Sequence, residues 1–372
     1  MLYKPHMFLK SLHLQHFRNY DALDIDFANA NITILTGKNG QGKSNFLEAV
    51  YLLALTKSFR TRKVENMVKW DRDFFRVIGK IAPAQSAPDD ITLEKCVVNL
   101  PKKEKAFKKN DVKVKREAFI GHFQAVLFRP EDLIMLTGEP GLRRQYLNNI
   151  QIQTDPHALA TLQSYHKAVQ ERNALLQGRS LLRDQHFDQD RNLETLDLWN
   201  QHIVTEGNKI QEFREKFISF AQSRIEKPYE LHYAPKKNLQ ELLEKNLEKD
   251  LRLGVTTVGP HREDVKITFQ GHDIHESASR GQLRRLMILL KKVEIEWMQR
   301  CSKQNPILLL DDIFSELDSE NKAEIMQILP EAQVIMTIAE GNPLPEFNAT
   351  LKAQSTVRRI HQGEIDSGAG VK

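Results

Sequence analysis

The feature that most constrains this chain is eight residues long. Gly37-Lys38-Asn39-Gly40-Gln41-Gly42-Lys43-Ser44 fits the phosphate-binding pattern GxxxxGK[ST] at every fixed position. Its glycines let backbone N–H groups curl around phosphate oxygens, and a following helix adds the positive end of its dipole. Such a loop needs a strand before it and a helix after it. Asn31–Thr36 (NITILT) is a short β-branched run of the kind found in buried central strands. From Lys43 onward, Phe46, Leu47, Val50, Tyr51 and Ala54 recur at helical spacing. The pattern places Lys43 on the β- and γ-phosphates of ATP and Ser44 on Mg2+, with Lys38, Asn39, Gln41 and Asn45 around them. Asn39, between two glycines, suits the tight turn.

Two later stretches complement the loop. Ile307-Leu308-Leu309-Leu310-Asp311-Asp312 is an apolar strand that delivers carboxylates to its carboxyl end, where parallel sheets bind ligands. Paired with the loop, it makes Asp311 the residue that holds Mg2+ through water, and Asp312 the one that orients or deprotonates the attacking water. Ser279-Arg280-Gly281-Gln282 opens the helical stretch LRRLMILLKKVEIEWM. It resembles the signature of ABC-type ATPases, whose serine contacts the γ-phosphate of ATP held by the other subunit. A hydroxyl, a glycine and a helix N-terminus make an anion site. An ordinary serine N-cap is the plainer reading. Ser315-Glu316-Leu317-Asp318 then looks like the D-loop of that class, which adds Asp318 to the nucleotide set.

These pieces imply an α/β fold: an ABC-type P-loop ATPase head, a mixed sheet with flanking helices, carrying an inserted helical second lobe. Residues 1–150 form the N-terminal part of the ATPase lobe. Residues 151–250 form the helical insert, where Leu162, Tyr165 and Val169, then Leu196, Trp199, Ile203, Ile210, Phe213, Phe217 and Phe220, recur at three- and four-residue steps. Residues 251–362 return to the ATPase lobe, with strand patterns at Val265–Phe269, Ile307–Leu310 and Gln333–Ile338. The polar tail 363–372 reads as disordered, and polar loops are expected at 82–88 and 182–194. Asn110-Asp111 suggests a hairpin turn.

Resemblance to the RecF family rests on residues along nearly the whole chain. The loop continues into Asn45-Phe46-Leu47-Glu48-Ala49, and Thr56-Lys57-Ser58-Phe59-Arg60-Thr61 looks like the stretch that follows that helix in the family. Leu127–Leu147 carries Pro-Glu-Asp-Leu and Gly-x-Pro-x-x-Arg-Arg elements. Arg172-Asn173-Ala174-Leu175, Gly259-Pro260-His261-Arg262-Glu263-Asp264 and Ser279–Gln282 carry three more. The match weakens at 82–116, 178–195 and the tail. Asn148 stands where the family more often has Asp, and Glu263 replaces an Asp. After Gln333–Ile338 there is no histidine like the switch histidine of transporter ATPases; Thr337 lies near that place. Gln124 is the one glutamine suggested for a Q-loop. His261 and Arg262 suit either a place near the nucleotide or a structural link. Arg143 and Arg144 suit either acidic partners across the two lobes or DNA.

The resemblance implies a cytoplasmic ATPase that forms a homodimer around two ATPs on DNA, single-stranded or gapped double-stranded, and hydrolyses slowly. It implies action with RecR and RecO proteins to help load recombinase. The net charge of +5 permits a nucleic-acid partner without arguing for one. Lys57, Arg60, Arg62, Lys108 and Lys109 are the candidate backbone contacts; for the lysines of 102–116 an aggregation-resistant edge hairpin is an equal reading. No run approaches the ~20 apolar residues of a spanning helix. Two cysteines, Cys96 and Cys301, suit a reducing compartment. Two competing classes are a transporter motor subunit, or another ABC-type subunit with a non-DNA partner, and a small-molecule P-loop NTPase. The missing switch histidine argues against the transporter, and the signature element against the small-molecule enzyme.

Overall fold

The computed structural model describes residues 8–27, 31–82, 90–98, 104–181, 189–329, 332–339, 349–366 and 369–370. Residues 83–88 and 182–188 of the expected loops, Lys102 and Lys103, and parts of the expected tail lie outside that set. The chain divides into two compact units. The first comprises Met1–Ile134, Ile152–Pro156 and Ser279–Lys372; the second comprises Met135–Gln151 and His157–Ala278.

Two sheets build the first unit. Strands Ser355–His361, Ile32–Thr36, Val334–Ile338, Ile307–Asp311 and Ala125–Phe128 lie side by side in that order, all parallel. Parallel strands are covered on both faces, so they read as apolar runs, and every residue of Ile32–Thr36 and Val334–Ile338 is buried. The second sheet is antiparallel, in the order Tyr20–Asp26, Phe8–Phe17, Phe75–Ala82, Ile91–Val98, Glu104–Lys109 and Val112–Val114. Its last hairpin turns at Asn110 and Asp111, both left-handed (φ 48 and 62), as the dipeptide predicts.

Between the sheets lies the helix Lys43–Leu55, in contact with strands of both. Phe46, Leu47 and every residue from Ala49 to Leu55 are buried, so the helix is apolar all round rather than amphipathic. Its one buried acid, Glu48, is paired with Arg18 through both carboxylate oxygens (2.8 and 2.6 Å).

The second unit packs the helices Ala158–Leu181 and Gln189–Gln222 against each other along the predicted apolar faces. Residues 189–194, expected in a loop, begin the second of these helices. A polar cluster sits in this unit's interior. The fully buried Arg172 donates to Asn200 (2.8 Å), Asp250 (2.7 Å) and Thr256 (2.9 Å), and Asp250 also accepts from Thr257. A buried charge survives only when paired and hydrogen-bonded in this way.

Three expectations need correction. Residues 251–278, assigned from sequence to the ATPase lobe, belong to the second unit. There the strand Lys266–Phe269 pairs antiparallel with Tyr229–His232, not with the parallel sheet. The part of 1–150 from Met135 also belongs to the second unit. The tail, expected to be disordered, contains Glu364–Ile365 and Ala369–Gly370, each paired antiparallel with Ser355–His361. That strand flanks Ile32–Thr36, and its outer edge offers unpaired backbone groups that the polar tail satisfies. Among the described residues, no helix is long and apolar enough to cross a membrane.

Candidate nucleotide-binding site

The phosphate loop leaves the carboxyl end of Ile32–Thr36 and needs conformations that only glycine adopts without strain. Gly37 has φ 149 and a side chain there would meet the carbonyl of Ile360 at 2.4 Å; Gly42 has φ 117 and would meet Asn19 at 2.6 Å. Asn19 and Tyr20 fasten the loop from outside. The Asn19 amide donates to the Gln41 carbonyl (2.8 Å), and the Tyr20 hydroxyl donates to the Gly42 carbonyl (2.9 Å). The Gln41 side chain accepts from the backbone of Gln362 (2.6 Å).

Lys43 donates to the carbonyls of Gly37 (2.5 Å) and Lys38 (3.1 Å), so its ammonium sits inside the curl of the loop. Ser44 donates to Asp311 Oδ1 at 2.9 Å, across 267 residues of sequence. Asp312 is left-handed (φ 50), a conformation unusual for a side-chain-bearing residue, and its N–H donates to Thr337 Oγ1 (2.9 Å). Thr337 in turn donates to Asp311 Oδ1 (2.8 Å). Burial pushes the Asp312 carboxyl above the usual carboxylate range, against the pull of Lys43.

These groups line one open cavity of about 510 Å³ at the carboxyl ends of the parallel strands. Asn39, Gly40, Gly42, Lys43, Ser44 and Asn45 form one wall, and Asp311, Asp312 and Thr337 another. Arg60 and Glu131 also line it. Its oxygen donors, one hydroxyl beside one carboxylate, are of the hard kind that suits Mg2+.

Other sequence-predicted residues lie elsewhere. Ser279, Arg280, Gly281, Gln282 and Asp318 do not line this cavity. Ser279 is exposed and caps the helix Arg280–Ser302: its Oγ accepts from Gln282 N (3.3 Å), and the Gln282 side chain accepts from Ser279 N (2.7 Å). Asp318, also exposed, caps Ser319–Met326. Gln124 is buried at the amino end of its strand, away from the ligand-binding ends, donating to Gln153 O (2.6 Å) and accepting from Ser302 (2.9 Å); it is no Q-loop residue. Pro130 and Glu131, beyond the carboxyl end of the same strand, stand at the cavity instead.

Arg60, read as a DNA contact, donates to Asn45 Oδ1 (2.6 Å) in the cavity wall. Lys108 is paired with Glu94 (3.1 Å) and Lys109 with His122 (3.1 Å). His261 and Arg262 both donate to the Thr256 carbonyl within the second unit. His261 donates through Nε2 to the Thr256 carbonyl and accepts at Nδ1 from Tyr165 (2.6 Å); burial lowers its pKa to about 4, keeping it neutral. Arg143 forms a bidentate pair with Asp264, and Arg144 donates to Glu263 O, all within the second unit.

Thr337 is the residue that sequence reasoning undervalued. From sequence it stands only in the place of an absent histidine. Its signal was the register: in parallel neighbours of equal apolar length, Asp311 pairs with Thr337. Thr337→Val keeps the shape and removes the hydroxyl that holds Asp311 and the Asp312 backbone. Losing hydrogen bonds to a carboxylate of this kind costs about 1–2 kcal/mol. ATP turnover at saturating nucleotide is expected to fall roughly tenfold. Wild-type turnover in the variant would remove Thr337 from the site.

The RecF/RecN/SMC N terminal domain matches residues 8–359. The DNA replication and repair protein RecF of Leptospira interrogans is 32% identical over 377 residues, covering 97% of this chain and 100% of the relative. RecF of Clostridium acetobutylicum is 31% identical over 96% of this chain and 99% of its own length. Among solved structures, the recombination mediator protein RecF with ATP, in the RecFOR pathway, superposes with a TM-score of 0.86 at 28% identity, covering 99% of this chain and 98% of that one. A Pyrococcus furiosus Smc head domain shares the fold at 14% identity and a TM-score of 0.50, over 98% of this chain and 96% of its own.

Proposed function

This chain belongs to the RecF family of DNA replication and repair proteins, within the RecF/RecN/SMC group, and from that premise we propose that it is a DNA clamp closed by ATP. The chain is an ATPase of this type. Two copies meet head to head with two ATPs between them, Ser279 of each chain facing the γ-phosphate held by the phosphate loop of the other. One observation carries this reading. Lys43, Ser44, Asp311 and Asp312 converge on one cavity, whereas the signature serine and Asp318 are exposed helix caps that stand outside it. The Ser279–Gln282 capping box lies on an exposed helix end, where an anion from a second copy can reach it.

ATP binds the dimer more tightly than the monomer, because only the dimer adds the contact of Ser279, so it drives association by mass action. The γ-phosphate discriminates, because only ATP presents an anion to Ser279. Lys43 binds the phosphates, and Ser44 with Asp311 would hold Mg2+, which neutralises charge on the triphosphate. Asp312 orients the attacking water and takes its proton. Slow hydrolysis then opens the clamp and acts as a timer. In the cell this reading has the dimer act at single-stranded gaps with RecO- and RecR-type proteins, helping to load recombinase.

DNA contact is expected through the phosphate backbone, with no base-reading motif in the sequence. Steady-state ATP turnover with and without gapped duplex tests it: stimulation by DNA is expected. Turnover indifferent to DNA at every length and salt concentration would assign the chain to a non-DNA partner instead.

A further inference from the structure

The helix that starts at the phosphate loop has a second end, and cations gather there. Thr56 stops the helix in a left-handed turn (φ 56). Lys95, itself buried, donates to the Thr56 carbonyl (2.5 Å). Arg116 donates to Thr56 Oγ1 (2.5 Å) and more loosely to the Leu55 carbonyl (3.4 Å). Cations are favoured at the carbonyl end of a helix, so these two have a structural role.

Lys57, the next residue, has no such partner. Among the described residues it makes no hydrogen bond and no ion pair. Burial, then the charges of Arg116 and Arg62, pull its pKa down to about 8. The nearby acid Glu48 is already held by Arg18 and Ser58. A half-buried ammonium among like charges is unfavourable until an anion joins it. Positive charge continues from here: Lys105, exposed at the end of its strand, acts on Lys95.

From Lys57 the chain doubles back along the helix. Ser58 donates to Glu48 in the second turn, and its Oγ accepts from the backbone of Arg60 (2.9 Å) and Thr61 (3.0 Å). Arg60 reaches Asn45 in the first turn and lines the nucleotide cavity. Only Ser58 and Phe59 therefore separate the unpaired lysine from Arg60 in the cavity wall.

We propose that Lys57 and Arg62, beside the helix-bound Arg116, form a phosphodiester site for the DNA backbone, and that the strap Ser58–Arg60 transmits its occupancy to the nucleotide cavity. The proposal rests on the DNA-binding reading above and gives it a location and a route. A backbone phosphate completes Lys57 and holds the start of the strap. Ser58, fixed to Glu48, keeps Arg60 set against Asn45.

The test uses the full-length protein with ATP and a labelled gapped duplex. Binding is measured by fluorescence anisotropy across a salt series, and turnover with and without DNA. Lys57→Gln should weaken DNA binding severalfold and lower the salt slope by about one ion, and Lys57→Arg should restore both. Ser58→Ala should bind DNA as the wild type does and lose most of the stimulation of turnover. Unchanged affinity and salt slope in Lys57→Gln would overturn the site. Full stimulation in Ser58→Ala would overturn the strap. Stimulation by inorganic phosphate at matched ionic strength, equal to that by DNA, would make this a free-anion site and overturn the assignment to DNA. A wild type that binds no DNA in any condition sinks the DNA-binding reading itself, a result distinct from binding that ignores Lys57.

Discussion

Asp312→Asn is expected to bind ATP as tightly as the wild type and to turn it over at least about a hundredfold more slowly, the usual cost of losing a positioned acid–base group. The substitution keeps the size of the side chain and one of its oxygens, so the left-handed turn and the bond from Asp312 N to Thr337 remain. What is lost is a carboxylate whose proton affinity burial has already raised, the direction that makes it a better base. Binding does not suffer, because Asp311, Glu131 and Glu316 leave the cavity rich in negative charge, and removing one carboxylate eases entry of a triphosphate. The variant should accumulate as an ATP-held dimer. Single-turnover hydrolysis and nucleotide affinity, measured together, check this. A normal rate would take Asp312 out of the chemistry, and lost ATP binding would make it a ligand-holding residue instead.

The second large effect is expected at Ser279→Arg. This position is exposed and lies outside the chain's own cavity, so nucleotide affinity of the monomer should stay within about twofold of wild type, a difference well under 1 kcal/mol. The arginine fills the space a γ-phosphate from the second copy must enter, and the capping box of the signature helix is lost with it. Loss of such a cap costs about 1 kcal/mol locally. ATP-driven dimerisation should disappear. Ser279→Ala separates the two causes, since it removes the cap hydroxyl without adding bulk; it should weaken the dimer and not abolish it. Equilibrium sedimentation with ATP gives both numbers. A Ser279→Arg dimer of wild-type affinity would mean that this helix end caps itself and does nothing more.

How far the sequence could be read depended on how locally each feature is encoded. The phosphate loop, its strand and its helix follow from contiguous residues, because glycine conformations and a β-branched run need no knowledge of the rest of the chain. The hairpin at Asn110-Asp111 was legible for the same reason. Membership of a sheet was not. Lys266–Phe269 has the same alternation whether it joins the parallel sheet or pairs with Tyr229–His232, and the choice is made by pairing such as Ile267 with Leu231, far apart in sequence. Arg60 looked like one more cation in a basic stretch. Only the return of the chain along its own helix turns it toward Asn45. Gln124 was the right residue type at the wrong end of a strand, an error of direction that composition cannot correct. Thr337 was visible only to someone who paired it with Asp311.

The most direct test of the clamp is sedimentation velocity of the full-length protein with a labelled gapped duplex, comparing ATP with ADP. With ATP, the protein should sediment as a dimer on the DNA; with ADP it should remain monomeric and leave the label free. A protein that stays monomeric and off the DNA with both nucleotides, or binds equally as a monomer with both, would contradict the account.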